Sequence, residues 1–218
     1  MTPVHHPSPD LLWSVAAGQE SAGIHKIVLA HAGMCSACRA QLDQLDAVGG
    51  ALLDEEPGVA VNPDALDRAL ACIGAGRDEK AAPAVPDWLR AVPPAVRDLA
   101  AEVASHRAHA GSKGVSLDLM QSMAANRETM ELLRIEPGQA IPSHAHEGTE
   151  YTLVLTGAFR DQRGLFAQGD LAVNDARHTH RPVAEAGETC IAMIVTTAPL
   201  RFKGPLGLLQ RLMTLGRS

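Results

Sequence analysis

Apolar residues over the first 76 positions recur every three to four residues, the period of helices that bury one face. "SPDLLWSVAAGQ" opens on a Ser-Pro-Asp start signal and carries Leu11, Leu12, Val15 and Ala16 at that spacing. "SAGIHKIVLAHAGM" continues it with Ile24, Ile27, Val28 and His31 on a related face. The spacing predicts a third helix that opens near Cys35 and runs through "RAQLDQLDAVGGALLDE" with Leu42, Leu45 and Val48 inward. A fourth, "PDALDRALACIG", is predicted to start on Pro and Asp and to end at Gly74 or Gly76. Four prolines in "GRDEKAAPAVPDWLRAVPPAVRD" then deny a continuous helix or central strand, which predicts a linker over residues 81–97. Beyond it the pattern changes to short β-like runs, "ETMELLRIEPGQ", "EYTLVLTGAF", "LAVND" and "TCIAMIVTTA". Pro137-Gly138, Gly157, Gly169-Asp170 and Gly187 punctuate these runs, and their even spacing predicts an antiparallel sandwich or barrel. "PLGLLQRLMTLGR" predicts one amphipathic helix within residues 205–218. The predicted fold class is therefore multidomain, α then β: an all-α bundle over residues 1–80 and an antiparallel β domain over 98–204.

Composition changes this picture little. Apolar residues make up 46% and charged residues 20%, the balance of a globular protein, while aromatics at 3% leave the cores to aliphatic side chains. Charges break the apolar runs well before the roughly 20 residues of a bilayer span. The start "MTPVHHPSPD" has neither the basic nor the apolar region of a signal peptide, so a cytoplasmic protein with no membrane contact is expected. Charge is more informative. Residues 1–80 hold five Lys/Arg against eleven Asp/Glu, whereas the rest of the chain is balanced. An acidic first third argues against direct DNA contact, which needs Lys and Arg on phosphates, and suits a basic protein partner.

Two of the four cysteines form Cys35-x-x-Cys38, with His31 four residues upstream. In a reducing compartment this pattern points to metal binding or redox exchange rather than a disulfide. On a helix, or across the junction of two, the spacing puts all three side chains on one side. The nearby imidazoles of His5 and His6 offer a fourth ligand, and a closed shell of two thiolates and two imidazoles makes a structural zinc site. A thioredoxin-like reading lacks the surrounding βαβ pattern. Cys72 and Cys190 stand alone.

The second half carries a different donor set. "GQAIPSHAHEGTEYTLVLTG" fits the first cupin motif, Gly-x5-His-x-His-x3-Glu-x6-Gly, at Gly138, His144, His146, Glu150 and Gly157. His144 and His146 alternate along a strand, so they share one face with room for Glu150 to join them. The second cupin motif is half present. Counting from Gly169 puts Asp175, Arg177 and Ala184 where Pro, Gly and Asn are expected, but places His180, not His178, on the ligand histidine. Three imidazoles and a carboxylate take zinc, iron, manganese and other divalent metals. His106 and His109 are assigned to solvent, and His25 to the surface or core of the second helix.

A leading His, "LLWSVAAG" and "HAGMCSAC" resemble the zinc-binding anti-sigma domain, and with the cupin motif the chain resembles the ChrR-type anti-sigma factors over nearly its whole length. The resemblance implies zinc on His6, in preference to His5, with His31, Cys35 and Cys38. It implies a second divalent metal, zinc being the first expectation, on His144, His146, Glu150 and His180 of a cupin jelly-roll barrel. As a partner it implies an extracytoplasmic-function sigma factor held one-to-one by the N-terminal helices, with release under singlet oxygen or organic peroxides governed by the cupin domain. The competing expectation is a metal-dependent cupin enzyme, a dioxygenase or isomerase, which has no evident use for a zinc-stapled acidic bundle.

Overall fold

A computed structural model describes residues 2–74, 86–105, 109–112, 115–120, 128–198 and 200–202. Its helices are α1 (Pro9–Ala16), α2 (Ala22–Met34), α3 (Ser36–Glu55), α4 (Ala65–Gly74) and α5 (Pro94–Ser105), with a short 3-10 helix at Asp87–Ala91. The strands are β1 (His109–Ser112), β2 (Val115–Met120), β3 (Thr129–Ile135), β4 (His144–His146), β5 (Glu150–Thr156), β6 (Ala158–Asp161), β7 (Gly164–Ala167), β8 (Leu171–Asn174), β9 (Thr179–His180), β10 (Val183–Ala184), β11 (Cys190–Thr196) and β12 (Leu200–Phe202). The terminal helix expected over 205–218 and His106 lie outside the described residues, while His109 opens β1.

Local signals set the first helices. Ser8 caps α1 by accepting the Leu11 N–H at 3.2 Å, with Pro9 as its first residue, and Ser21 caps α2. Only Cys35, in an extended conformation, separates α2 from α3, so the chain turns within one residue. Leu42 is buried and Leu45 half-buried, but Val48, expected inward, is 52% exposed. The reason is length: α3 has 20 residues, about 30 Å, against 8 in α1 and 13 in α2, so its second half runs past both partners. From Pro86 onward the stretch expected as a linker is packed. Pro86 precedes the 3-10 helix and Pro94 opens α5, first-turn positions where proline lacks no needed N–H, and Leu89, Val92 and Val96 are buried.

The expected antiparallel β domain takes the form of three antiparallel sheets among the described residues: β1-β2-β3-β11-β5-β8, β10-β6-β7 and β12-β4-β9. Alternation splits the large sheet into two faces. Met130, Leu132, Leu153, Leu155, Leu171, Ile191, Met193 and Val195 face the helices and share one core with α1, α2, α3, the 3-10 helix and α5. The other face begins a second core, where Leu133, Ile135, Val154, Ala172 and Ile194 meet Phe159, Phe166 and Ala184 of the β10-β6-β7 sheet. At the far end this inner face turns polar, with Glu131, Glu150, Thr152, Asn174 and Thr196 following the same alternation. Gly157, at φ +65°, is required by the turn after β5, where a side chain would run into the Thr189 carbonyl.

Candidate metal centres

The helical cluster forms where α2 ends and α3 begins. His31 lies in the last turn of α2, Cys35 at the junction and Cys38 in the first turn of α3, and His6 arrives from the chain before α1. One ligand atom from each lies within 4.8 Å of all the others. His6 Nδ1 is 3.4 Å from Cys35 Sγ and 3.5 Å from Cys38 Sγ. Tetrahedral zinc, with bonds of about 2.3 Å to sulfur and 2.0 Å to nitrogen, sets S and N roughly 3.5 Å apart. His31 is fully buried, and its Nδ1–H donates to the Gly169 carbonyl at 2.8 Å. That bond fixes the tautomer and leaves Nε2, buried and without a hydrogen-bond partner among the described residues, as the atom free to serve the cluster. Burial pushes the Cys38 thiol up to about 12, helped by the adjacent Cys35. Burial likewise lowers the pKa of His31, against the pull of the Gly169 carbonyl. Two crowded thiols and an orphaned imidazole nitrogen fit a thiophilic cation.

His5 goes elsewhere. Its ring lies on Phe166, centroids 4.3 Å apart, and its Nδ1 is 3.2 Å from Asp170 Oδ2. Burial opposes ionisation of Asp170, but N–H groups of Ala167, His5 and Val4 outweigh it and hold the carboxyl below its ordinary range.

The second cluster occupies the polar end of the inner face. β4 supplies His144 and His146, β5 begins at Glu150, and β9 ends at His180, paired with His144. All four are buried with ligand atoms within 4.8 Å. His180 Nε2 lies 2.9 Å from His144 Nε2 and 3.2 Å from His146 Nε2. Outer contacts orient the rings: His144 Nδ1 donates to the Pro142 carbonyl at 2.9 Å, and His180 Nδ1 meets Asp161 Oδ2 at 3.2 Å. Glu150 Oε1 accepts from Asn174 at 3.1 Å and Thr152 at 3.2 Å, and lies 3.6 Å from His180 Nε2. Burial first, then the neighbouring imidazoles, lowers His146 and His180 to about 4. Burial raises Glu150 to about 7 against those two hydrogen bonds. Neutral nitrogens converging on one point have no proton to share, which suits a divalent cation. His178 points away, half-exposed and 2.8 Å from Asp175 Oδ1.

The eight residues expected as ligands thus fall into the two clusters. Sequence reasoning missed the outer groups Asp161, Asn174 and Asp170, which no ligand motif marks, and it read Gly169 as a motif and turn position without its carbonyl contact to His31. Thiol and imidazole donors within a helical unit, packed against a β domain of cupin type with its own cluster, define a class: a two-site helical and cupin-like protein. Residues 96–200 match the ChrR cupin-like domain family. The chain is 38% identical over 202 residues, 93% of each protein, to the anti-sigma-E factor ChrR of Cereibacter sphaeroides. It superposes with a TM-score of 0.66 and 35% identity, covering 89% of this chain and 99% of the other, on a chain from the crystal structure of Rhodobacter sphaeroides SigE in complex with the anti-sigma ChrR. The chain belongs to the ChrR family of anti-sigma factors, regulators rather than enzymes.

Proposed function

We propose that this chain inhibits an extracytoplasmic-function sigma factor by binding it one-to-one in the cytoplasm. The observation that carries the reading is an apolar surface that no other part of the described residues covers. Leu66, Leu70 and Ile73 recur along one side of α4 and are 68%, 54% and 77% exposed, and Val48, Leu52 and Leu53 on the second half of α3 are exposed as well. So many exposed aliphatics on two consecutive helices mark a protein-binding surface. Asp43, Asp46, Asp54, Glu55, Glu56, Asp64 and Asp67 border it, which suits the basic surfaces that a sigma factor uses on DNA. Among the described residues no helix is long and apolar enough to cross a membrane.

Each metal centre has its own task in this reading. Zinc on His6, His31, Cys35 and Cys38 holds the short helices of the inhibitory unit, residues 1–80, in place. A divalent metal on His144, His146, Glu150 and His180, in the cupin-like unit over 98–204, senses oxidants such as singlet oxygen or organic peroxides and governs release. Electron-rich imidazoles crowded at one point support that role, because imidazole is among the side chains that singlet oxygen attacks. Purification of the full chain from its native host, with the bound protein and metals identified, tests the reading. A stoichiometric sigma factor is expected, and its absence together with turnover of a small molecule would contradict it.

A further inference from the structure

The helical cluster is not assembled by the helices alone. The turn Ala167–Asp170 between β7 and β8 grips the segment that carries His6. Asp170 Oδ1 accepts the backbone N–H of Val4 at 2.6 Å and of His5 at 2.9 Å, and Oδ2 is satisfied by the Ala167 N–H at 2.8 Å. The Leu171 N–H then donates to the His5 carbonyl at 3.0 Å, so both ends of the His5 peptide are tied down next to His6. Asp170 is 1% exposed and far in sequence from every residue of the helical cluster. Gly169 supplies the carbonyl that orients His31, and it has φ +91° with Pro3 seated where a side chain would be.

We propose that Asp170 and the Gly169 carbonyl are positioning groups for the helical metal site, so that the cupin-like domain sets how firmly that ion is held. One group fixes the backbone that delivers His6 and the other fixes the ring of His31. Two of the four ligands therefore depend on a single turn of the other domain. Groups that orient metal ligands change affinity by about 10- to 100-fold when removed.

The proposal rests on reading the first cluster as a metal site, so zinc content of the full-length wild type and of Cys35→Ala is measured first. A wild type with no zinc at these ligands overturns both. Zinc transfer to a chromogenic chelator is then timed for full-length Asp170→Ala, Asp170→Asn and Glu128→Ala, alongside visible spectra of the cobalt-substituted proteins. Glu128 is the comparison because its carboxylate joins the same two domains, through Ser21 and the Gly23 N–H at 3.1 Å, without touching the segment of His6. Asp170→Ala is expected to release zinc about 10- to 100-fold faster with shifted cobalt ligand-field bands. Asp170→Asn, which keeps an oxygen acceptor, should fall between it and the wild type, and it carries the test if the alanine variant does not fold. Wild-type release from both Asp170 variants, or equal acceleration by Glu128→Ala, overturns the proposal.

Discussion

At the residue scale the two clusters ask different things of their ligands. Thiols must lose protons to bind a cation, and Cys38, pushed up to about 12 by burial and Cys35, holds its proton tightly in the metal-free fold. Cys35→Ala removes one of four donors, so zinc loss and a large drop in thermal stability of the helical unit are expected, read by metal analysis and circular dichroism. In the cupin cluster the signs oppose one another. His146 and His180, lowered to about 4, contribute stability to the metal-free protein that is present above their ordinary 6.5 and lost as pH falls toward 4. Glu150, raised to about 7, contributes stability present below 4.5 and lost as pH rises through 7. Two lowered imidazoles outweigh one raised carboxyl, so metal-stripped protein should become less stable between pH 6.5 and 4, with Glu150→Gln steepening that loss. Urea titrations at stepped pH check this. Seven of the eight clustered positions were legible because their motif spacing is local in sequence, register alone separating His180 from His178, whereas His6, far from Cys35 in sequence, was set apart from His5 only by the family resemblance. Asp161, Asn174 and Asp170 were not legible, because an isolated acid or amide acquires its role from a partner brought close only by the fold.

At the element scale, apolar periodicity reports which face of a helix is sticky but not what covers it. It placed Leu42 and Val48 on one face of α3, yet the first packs inside and the second projects beyond α1 and α2. In α4 the same pattern produces a helix whose apolar side meets no other part of the described chain closely enough to be buried. Prolines misled in the other direction, since Pro86 and Pro94 start helical segments. Leu70→Asp on α4 is expected to leave the fold unchanged, within about 0.5 kcal/mol for an exposed site. It should weaken sigma-factor binding by 2 kcal/mol or more, about 30-fold, as removal of a central apolar anchor does. Thermal melting and calorimetric titration separate the two effects.

At the scale of the whole molecule, the helices and the large sheet share one apolar core, and strand β8 runs between the two clusters. One end of that strand follows the turn holding the chain before His6, while at the other end Asn174 donates to Glu150. A change in the cupin cluster thus has a path of four strand residues to the helical site. A coupling of only about 1.4 kcal/mol between the sites alters partner affinity tenfold. The division of labour, helices that inhibit and a cupin-like domain that times release, is tested most directly by the dissociation rate of the sigma-factor complex. That rate is followed by anisotropy of labelled sigma factor, before and after photosensitised singlet oxygen, for wild type, Glu150→Ala, His180→Ala and His178→Ala. All four complexes should form with similar affinity. Wild type and His178→Ala should then dissociate faster after oxidant while Glu150→Ala and His180→Ala do not; equal acceleration in all four would contradict the account.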